Sequence, residues 1–258
     1  MRLRLVRHAT LIVEYGERIL LVDPMLDDAG ARPAIENSPN PRNNPLVGLP
    51  VQAPALLEGI QAVLVTHTHS DHWDAGASKL VPRGLPLFCQ REDESKFRGQ
   101  GFTQVRPVRQ SVVWNSIEIV RTDGRHGTGE LAKKMGPVCG FVLRPGSDAP
   151  ERQPTLYVAG DTVWCMEVED ALGEFEPSVT VVNAGGARFL EGNPITMTAA
   201  DVIRVCRGAP RTQVVAVHME AINHCVLTRA GLAEQLESAQ VRQQVVIPED
   251  GEWIDFGE

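Results

Sequence analysis

Residues 63–74 read V-L-V-T-H-T-H-S-D-H-W-D, which puts three of the seven histidines and two carboxylates into eight positions directly after a short apolar run. A helix cap or a solvated face accounts for one or two such side chains, not for five. In extended backbone, residues two apart point the same way, so His67 and His69 can reach one metal ion from a strand end. Asp71 and His72 follow where the chain should turn into a helix, and their side chains diverge from the first pair. That geometry suggests two adjacent metal sites. Imidazole and carboxylate donors suit zinc, manganese or iron, and no cysteine in the cluster narrows the choice.

Two metals need further donors. His126 lies in the glycine-flanked turn D-G-R-H-G-T-G, Asp161 closes L-Y-V-A-G-D, and His218 closes V-V-A-V-H. A carboxylate such as Asp161 has two oxygens and can bridge two cations. Each of these residues also has an ordinary reading. Asp71 could cap the following helix, His126 could be a turn residue, Asp161 a strand-to-turn aspartate and His218 a hydrogen-bonded core histidine. Taken together they share one situation, the end of an apolar strand, where sites gather in α/β proteins, and the joint pattern favours a metal centre. In H-M-E-A-I-N-H-C, His224 is a candidate acid or oxyanion donor facing the substrate, with a supporting or helix-entry histidine as the alternative. Glu220 is a weaker candidate, and His8, after the first strand, reads as a buried, hydrogen-bonded histidine near the site. Trp73 and Trp164 read as packing, with a pocket wall as the alternative. Asp250 and Gly251 are placed beside the metal shell by position alone.

The elements that must carry these residues are mostly strands. Apolar runs predict strands at 2–6, 10–14, 18–22, 61–66, 86–90, 112–121, 138–143, 155–159, 179–183, 214–217 and 245–247. Helices are expected from Asp74 to Leu80, over the stripe Val168, Ala171, Leu172 and Phe175, after the capping box Thr198-x-x-Asp201, and after Thr228. Strands fill the first half, and strand and helix alternate later, which fits one domain over residues 1–258 with two sheets and flanking helices. Between Leu26 and Pro54 a Pro/Asn-rich stretch reads as a long ordered loop, either plain surface or a lid whose Arg42, Asn43 and Asn44 contact an anionic group.

A formal net charge of −8 and scattered arginines argue against general affinity for nucleic acid or anionic membranes. Five unpaired-looking cysteines suit reduced thiols, the basic opening is too short for a signal segment, and no stretch of about 18 apolar residues occurs. A cytoplasmic protein acting on a small molecule is the expectation, with homo-oligomers allowed.

The motif H-T-H-S-D-H, followed by His126, Asp161 and His218 in order, resembles the H-x-H-x-D-H signature of the metallo-β-lactamase superfamily, and the likeness runs over nearly the whole chain. It is greatest for the lactonase-like, metal-dependent hydrolase branch. The resemblance implies a four-layer αββα sandwich with a binuclear site on one edge that holds two divalent metal ions, zinc first, with manganese or iron as alternatives. It places His67, His69 and His126 on one metal and Asp71, His72 and His218 on the other, with Asp161 between them. Such a pair of cations supplies hydroxide near neutral pH, so the implied reaction is hydrolysis of an ester, lactone, amide or phosphodiester, with Asp71 and His224 as catalytic candidates. Competing readings are a mono-iron oxidative enzyme of the same fold and a metal-stabilised, non-catalytic binding protein. A nuclease is disfavoured by the acidic charge.

Overall fold

The computed structural model describes residues 1–147, 149 and 153–257. Its first sheet contains β1 (Arg2–Arg7), β2 (Thr10–Tyr15), β3 (Arg18–Val22), β4 (Ala62–Val65), β5 (Leu87–Cys89) and β6 (Val105–Pro107). The second contains β7 (Ser111–Trp114), β8 (Ile117–Asp123), β9 (Cys139–Pro145), β10 (Leu156–Val158), β11 (Val179–Asn183), β12 (Gln213–Val217) and β13 (Val245–Val246). The last strand, β14 (Trp253–Asp255), returns to the first sheet, giving orders β14-β1-β2-β3-β4-β5-β6 and β13-β12-β11-β10-β9-β8-β7.

Alternation within the strands explains the layers. Leu3, Leu5, Leu11, Val13, Leu20, Val22 and Leu64 face Ile119, Phe141, Leu143, Val158, Val181 and Val217 across the space between the sheets. The intervening residues are also apolar, and each set packs under helices. Val63, Val65 and Leu87 lie under α1 (Ala53–Leu57), α2 (Ala75–Leu80) and α3 (Glu94–Gly99). On the other side, Val142, Tyr157, Val182 and Ala216 lie under α5 (Met166–Phe175), α6 (Ala199–Gly208) and α7 (Arg229–Ser238). Strands covered on both faces read as continuous apolar runs, as these do. The result is the αββα sandwich expected from the sequence.

Most expected elements are present within a residue or two, including the capping box at Thr198 and Asp201 and the Thr228 cap of α7. One strand is corrected. The run expected over 112–121 is a hairpin, β7 and β8, because Asn115 and Ser116 both take positive φ (47° and 62°) and reverse the chain. The short β6, α1, α3, β14 and α4 (Gly129–Met135) also lack the length that periodicity needs for detection. The capping alternative for Asp71 is overturned: Asp74 caps α2, accepting from the Ala77 N–H at 2.7 Å.

The turn after β10 shows how tightly the sheet edge is built. Gly160 has φ +68°, and a Cβ added there would stand 2.6 Å from the Cys139 carbonyl oxygen. Gly160→Ala is therefore expected to destabilise the fold by about 2 kcal/mol or more, seen as a lowered denaturant midpoint at unchanged m.

Candidate metal centre

Every candidate metal ligand emerges at the same edge of the sandwich. Parallel pairing of β3 with β4 and of β10, β11 and β12 in sequence brings their carboxyl ends level. From those ends come Asp23, His67, Asp161, Asn183 and His218, while β1 and β8 deliver His8 and His126. The structure thus gathers His67, His69, Asp71, His72, His126, Asp161 and His218 around Asp161, and all but His69 are buried.

Hydrogen bonds on the outer sides of the rings fix what the inner sides present. His126 Nδ1 lies 2.8 Å from the Ile195 carbonyl, which can only accept, so the proton is on Nδ1 and the Nε2 lone pair faces inward. His69 Nε2 is set in the same way by the Met135 carbonyl at 3.1 Å. Thr66 Oγ1 gives its only hydrogen to Asp23, so it accepts from His67 Nδ1 at 3.1 Å. Consequently His67 Nε2 and His69 Nδ1 meet at 3.0 Å as two lone pairs, and His126 Nε2 stands 3.4 Å from Asp161 Oδ2 with no hydrogen between them. Burial pushes His67 and His126 below their ordinary pKa, so neither ring supplies a proton to relieve these contacts.

The second group converges as closely. His218 Nε2 lies 3.3 Å from His72 Nε2, 3.2 Å from Asp161 Oδ1 and 3.4 Å from Asp71 Oδ2. His72 Nδ1 donates to Asp23 Oδ2 at 2.8 Å, and the backbone and side chain of Thr66 also donate to that carboxylate at 2.7 Å. Although burial opposes charge on Asp161, His218, His72 and His126 hold its carboxyl well below the usual range. Burial likewise works against Asp71, yet His72, His218 and His8 hold it low as well. Burial also disfavours a charged His72, but Asp161, Asp23 and Asp71 raise it well above its ordinary value.

The donor set fits divalent cations. Two nitrogens bound to one tetrahedral zinc at about 2.0–2.1 Å would stand roughly 3.3 Å apart, close to the spacings across both groups. The groups His67, His69, His126 and His8, Asp71, His72, His218 each bring one ligand atom per residue within 4.8 Å of one another, as do His67, His72 and Asp161.

Several supporting residues carry a legible signal that the sequence reading leaves unused. Asp23 and Asn183 close apolar runs just as Asp161 does, and Asn183 Nδ2 donates to Asp161 Oδ1 at 2.6 Å. His8 is fully buried, with its Nε2 3.1 Å from Asp71 Oδ2 and its ring centroid 3.6 Å from that of His218. Its role as a buried, hydrogen-bonded neighbour matches the sequence reading.

His224 is buried near the cluster with its Nδ1 unpartnered, and burial lowers its pKa to about 4, so the ring is neutral at pH 7. Glu220 and Asp250 both pair with Arg229, so the guess that Asp250 supports the metal shell is corrected. Trp73 packs edge-on against Phe97 and Phe102, and Trp164 packs in the core beneath α5 and α6. In the 26–54 loop, Arg42 and Asn43 are exposed, whereas Asn44 is buried and exchanges amide hydrogen bonds with Asn223.

Comparison with known proteins agrees with this geometry. A family model described as the beta-lactamase superfamily domain matches residues 18–219. The UPF0173 protein YddR of Bacillus subtilis is 37% identical over 259 residues, covering 99% of this chain and 100% of that protein. A UPF0173 metal-dependent hydrolase of Azorhizobium caulinodans is 24% identical over 98% of both chains. Among solved structures, an isothiocyanate hydrolase from Delia radicum gut bacteria superposes with TM-score 0.93 at 37% identity over 99% of both chains. With a sandwich of this order and that cluster at its edge, the chain belongs to the beta-lactamase superfamily.

Proposed function

We propose that this metal-dependent hydrolase holds two divalent cations, one among His67, His69 and His126 and one among Asp71, His72 and His218, with Asp161 facing both. The observation that carries this reading is the convergence of ring nitrogens and carboxylate oxygens in a buried space, above all His67 Nε2 and His69 Nδ1 at 3.0 Å. Two such cations, when bound, supply hydroxide at neutral pH and polarise the electrophile. The imidazole-rich donor groups suit zinc, and manganese and iron are accommodated by the same atoms.

The substrate we propose is a small molecule with an electrophilic carbon, an isothiocyanate in the first instance. The support is the 37% identity over 99% of both chains to the isothiocyanate hydrolase. The ester, lactone and phosphodiester classes suggested by the sequence share the need for hydroxide attack but lack a relative of that identity behind them. In the balanced reaction R–N=C=S + H2O → R–NH2 + COS, the water oxygen joins carbon, the carbon–nitrogen bond breaks, and both water protons end on nitrogen. The chain's own residues hold the reactants in place. His8 fixes the Asp71 carboxylate, Asp23 fixes His72 and Thr66, and Asn183 fixes Asp161. His224, neutral and with a free ring nitrogen, is the side chain we assign to a hydrogen bond with the departing nitrogen.

Protein purified without added metal should contain about two divalent ions per chain by elemental analysis and should release benzylamine and carbonyl sulfide from benzyl isothiocyanate. One ion per chain would defeat the binuclear reading, and a metal-replete protein inert toward isothiocyanates would defeat the substrate. Asp23→Ala should weaken metal retention against a chelator by about 10–100-fold, because it frees the outer nitrogen of His72 and both Thr66 donors. For His224→Ala, kcat should fall by about a hundredfold at unchanged metal content, and an unchanged kcat would remove this residue from the chemistry.

A further inference from the structure

Apart from His69, the metal cluster meets open space at one residue. The side chains of His8, His67, His72, His126, Asp161 and His218 are 0–2% exposed, whereas that of Asp71 is 8% exposed. Asp71 opens into a cavity of about 290 Å³ lying between the loop after β3 and the Ser70–Asp71 turn. We infer that this cavity receives the organic substituent of the substrate, and that the substituent is small, uncharged and largely apolar. The inference rests on the hydrolytic reading of the metal centre.

The electrostatics of the cavity favour a neutral group. Its one cation, Arg32, is already neutralised: Nη1 lies 3.2 Å from Asp27 Oδ2, 3.6 Å from Asp74 Oδ2 and 2.5 Å from the Ser70 carbonyl oxygen. An anionic substituent would find two carboxylates competing for the same guanidinium, and the Asp71 carboxylate besides. The Asn44 side chain is likewise occupied. The Asn44 amide donates to Asn223 Oδ1 at 2.7 Å and accepts from the Asn223 N–H at 2.9 Å. Besides the Ser70 hydroxyl, what remains on the walls is apolar: Pro33, Ala34, Ile35 and Ile222.

Size and stiffness complete the argument. Ligand cavities generally span about 300–1,000 Å³, so this one sits at the small end, suited to one ring with a short linker rather than a nucleotide or a fused polycycle. Its walls are tied down before any ligand arrives. Arg32 and Asn44 pair through both backbone N–H groups at 2.8 Å, and Leu46 N–H donates to the Ala221 carbonyl at 2.7 Å. The fully buried Arg7 holds the Met25, Asp27 and Val47 carbonyls at both ends of the loop. A preformed cavity selects by shape, since little ordering cost is left to vary between ligands.

The test has a structural and a kinetic arm. Crystals of the metal-loaded protein soaked in 4-bromobenzyl alcohol should show anomalous bromine density between Ala34 and Ile222, lost in Ala34→Trp. In solution, Ala34→Trp should lower kcat/KM for benzyl isothiocyanate at least tenfold more than for methyl isothiocyanate, while Ile35→Ala should raise the naphthylmethyl-to-benzyl ratio. Bromine bound elsewhere or nowhere, or substrate ratios unmoved by both variants, would overturn the assignment. If no isothiocyanate is turned over, the substrate reading fails, and the bromine position alone decides whether the cavity holds a neutral organic group.

Discussion

Everything at the functional edge depends on the mutual repulsion of buried acceptors. Asp161 sits among imidazoles of which His67, His69 and His126 turn lone pairs inward, because carbonyls and a committed hydroxyl hold their protons on the outside. In a low-dielectric interior such contacts are costly unless a cation stands between them. The same cation-shaped gaps explain why so many polar side chains can be buried at all, since a metal returns the solvation that burial removes. The outer hydrogen bonds would thus act on bound metal through ring tautomers. Moving Ile195 or Met135 by an ångström would free a ring to turn its proton inward and cancel a ligand.

Holding that arrangement strains the backbone where strands end. His8, Asp23 and His218 take φ of 61°, 44° and 68°, the left-handed region that side chains other than glycine rarely occupy. Each lies one residue beyond its strand, so the unusual torsion swings the side chain off the sheet and across the edge. The turn is secured from both sides. His218 N–H donates to the His8 carbonyl at 2.9 Å, tying strained residues of the two sheets together, and Asp23 N–H donates to the Leu64 carbonyl of the neighbouring β4 at 3.0 Å within the first sheet. The site is therefore a property of the sandwich as a whole, and the parallel register of β10, β11 and β12 is what brings Asp161, Asn183 and His218 to one level.

The sequence carried much of this, for physical reasons that differ between parts. Strands buried on both faces produce unbroken apolar runs, so β4, β11 and β12 were visible, and the ligand candidates stood out as polar residues closing them. The hairpin at Asn115-Ser116 was hidden because its two turn residues interrupt an otherwise strand-like run without glycine or proline. Asp23 is absent from the candidates, although it closes an apolar run in the same way as Asp161. The partners of the rings were beyond reach for another reason. The Ile195 and Met135 carbonyls are backbone groups, and backbone positions leave no trace in residue type. The loop after β3 could be recognised from its prolines and asparagines, but which asparagine faced inward depended on pairing with Asn223, 179 residues away in sequence.

Chemistry and selectivity are consequently built from different materials. Strand ends, braced across two sheets, supply an almost fully enclosed set of donors with little room to vary. The loop between β3 and α1 carries no regular element beyond one bridge between Arg32 and Asn44, yet it supplies most of the wall beside Asp71. Its anchors are few and identifiable: the Asn44–Asn223 amide pair, the buried Arg7 and the Leu46–Ala221 hydrogen bond. Residues between those anchors, such as Ala34 and Ile35, can change size without touching a ring or a carboxylate of the cluster. A change of substrate would then require substitutions in that loop alone, and the metal centre would carry over unaltered.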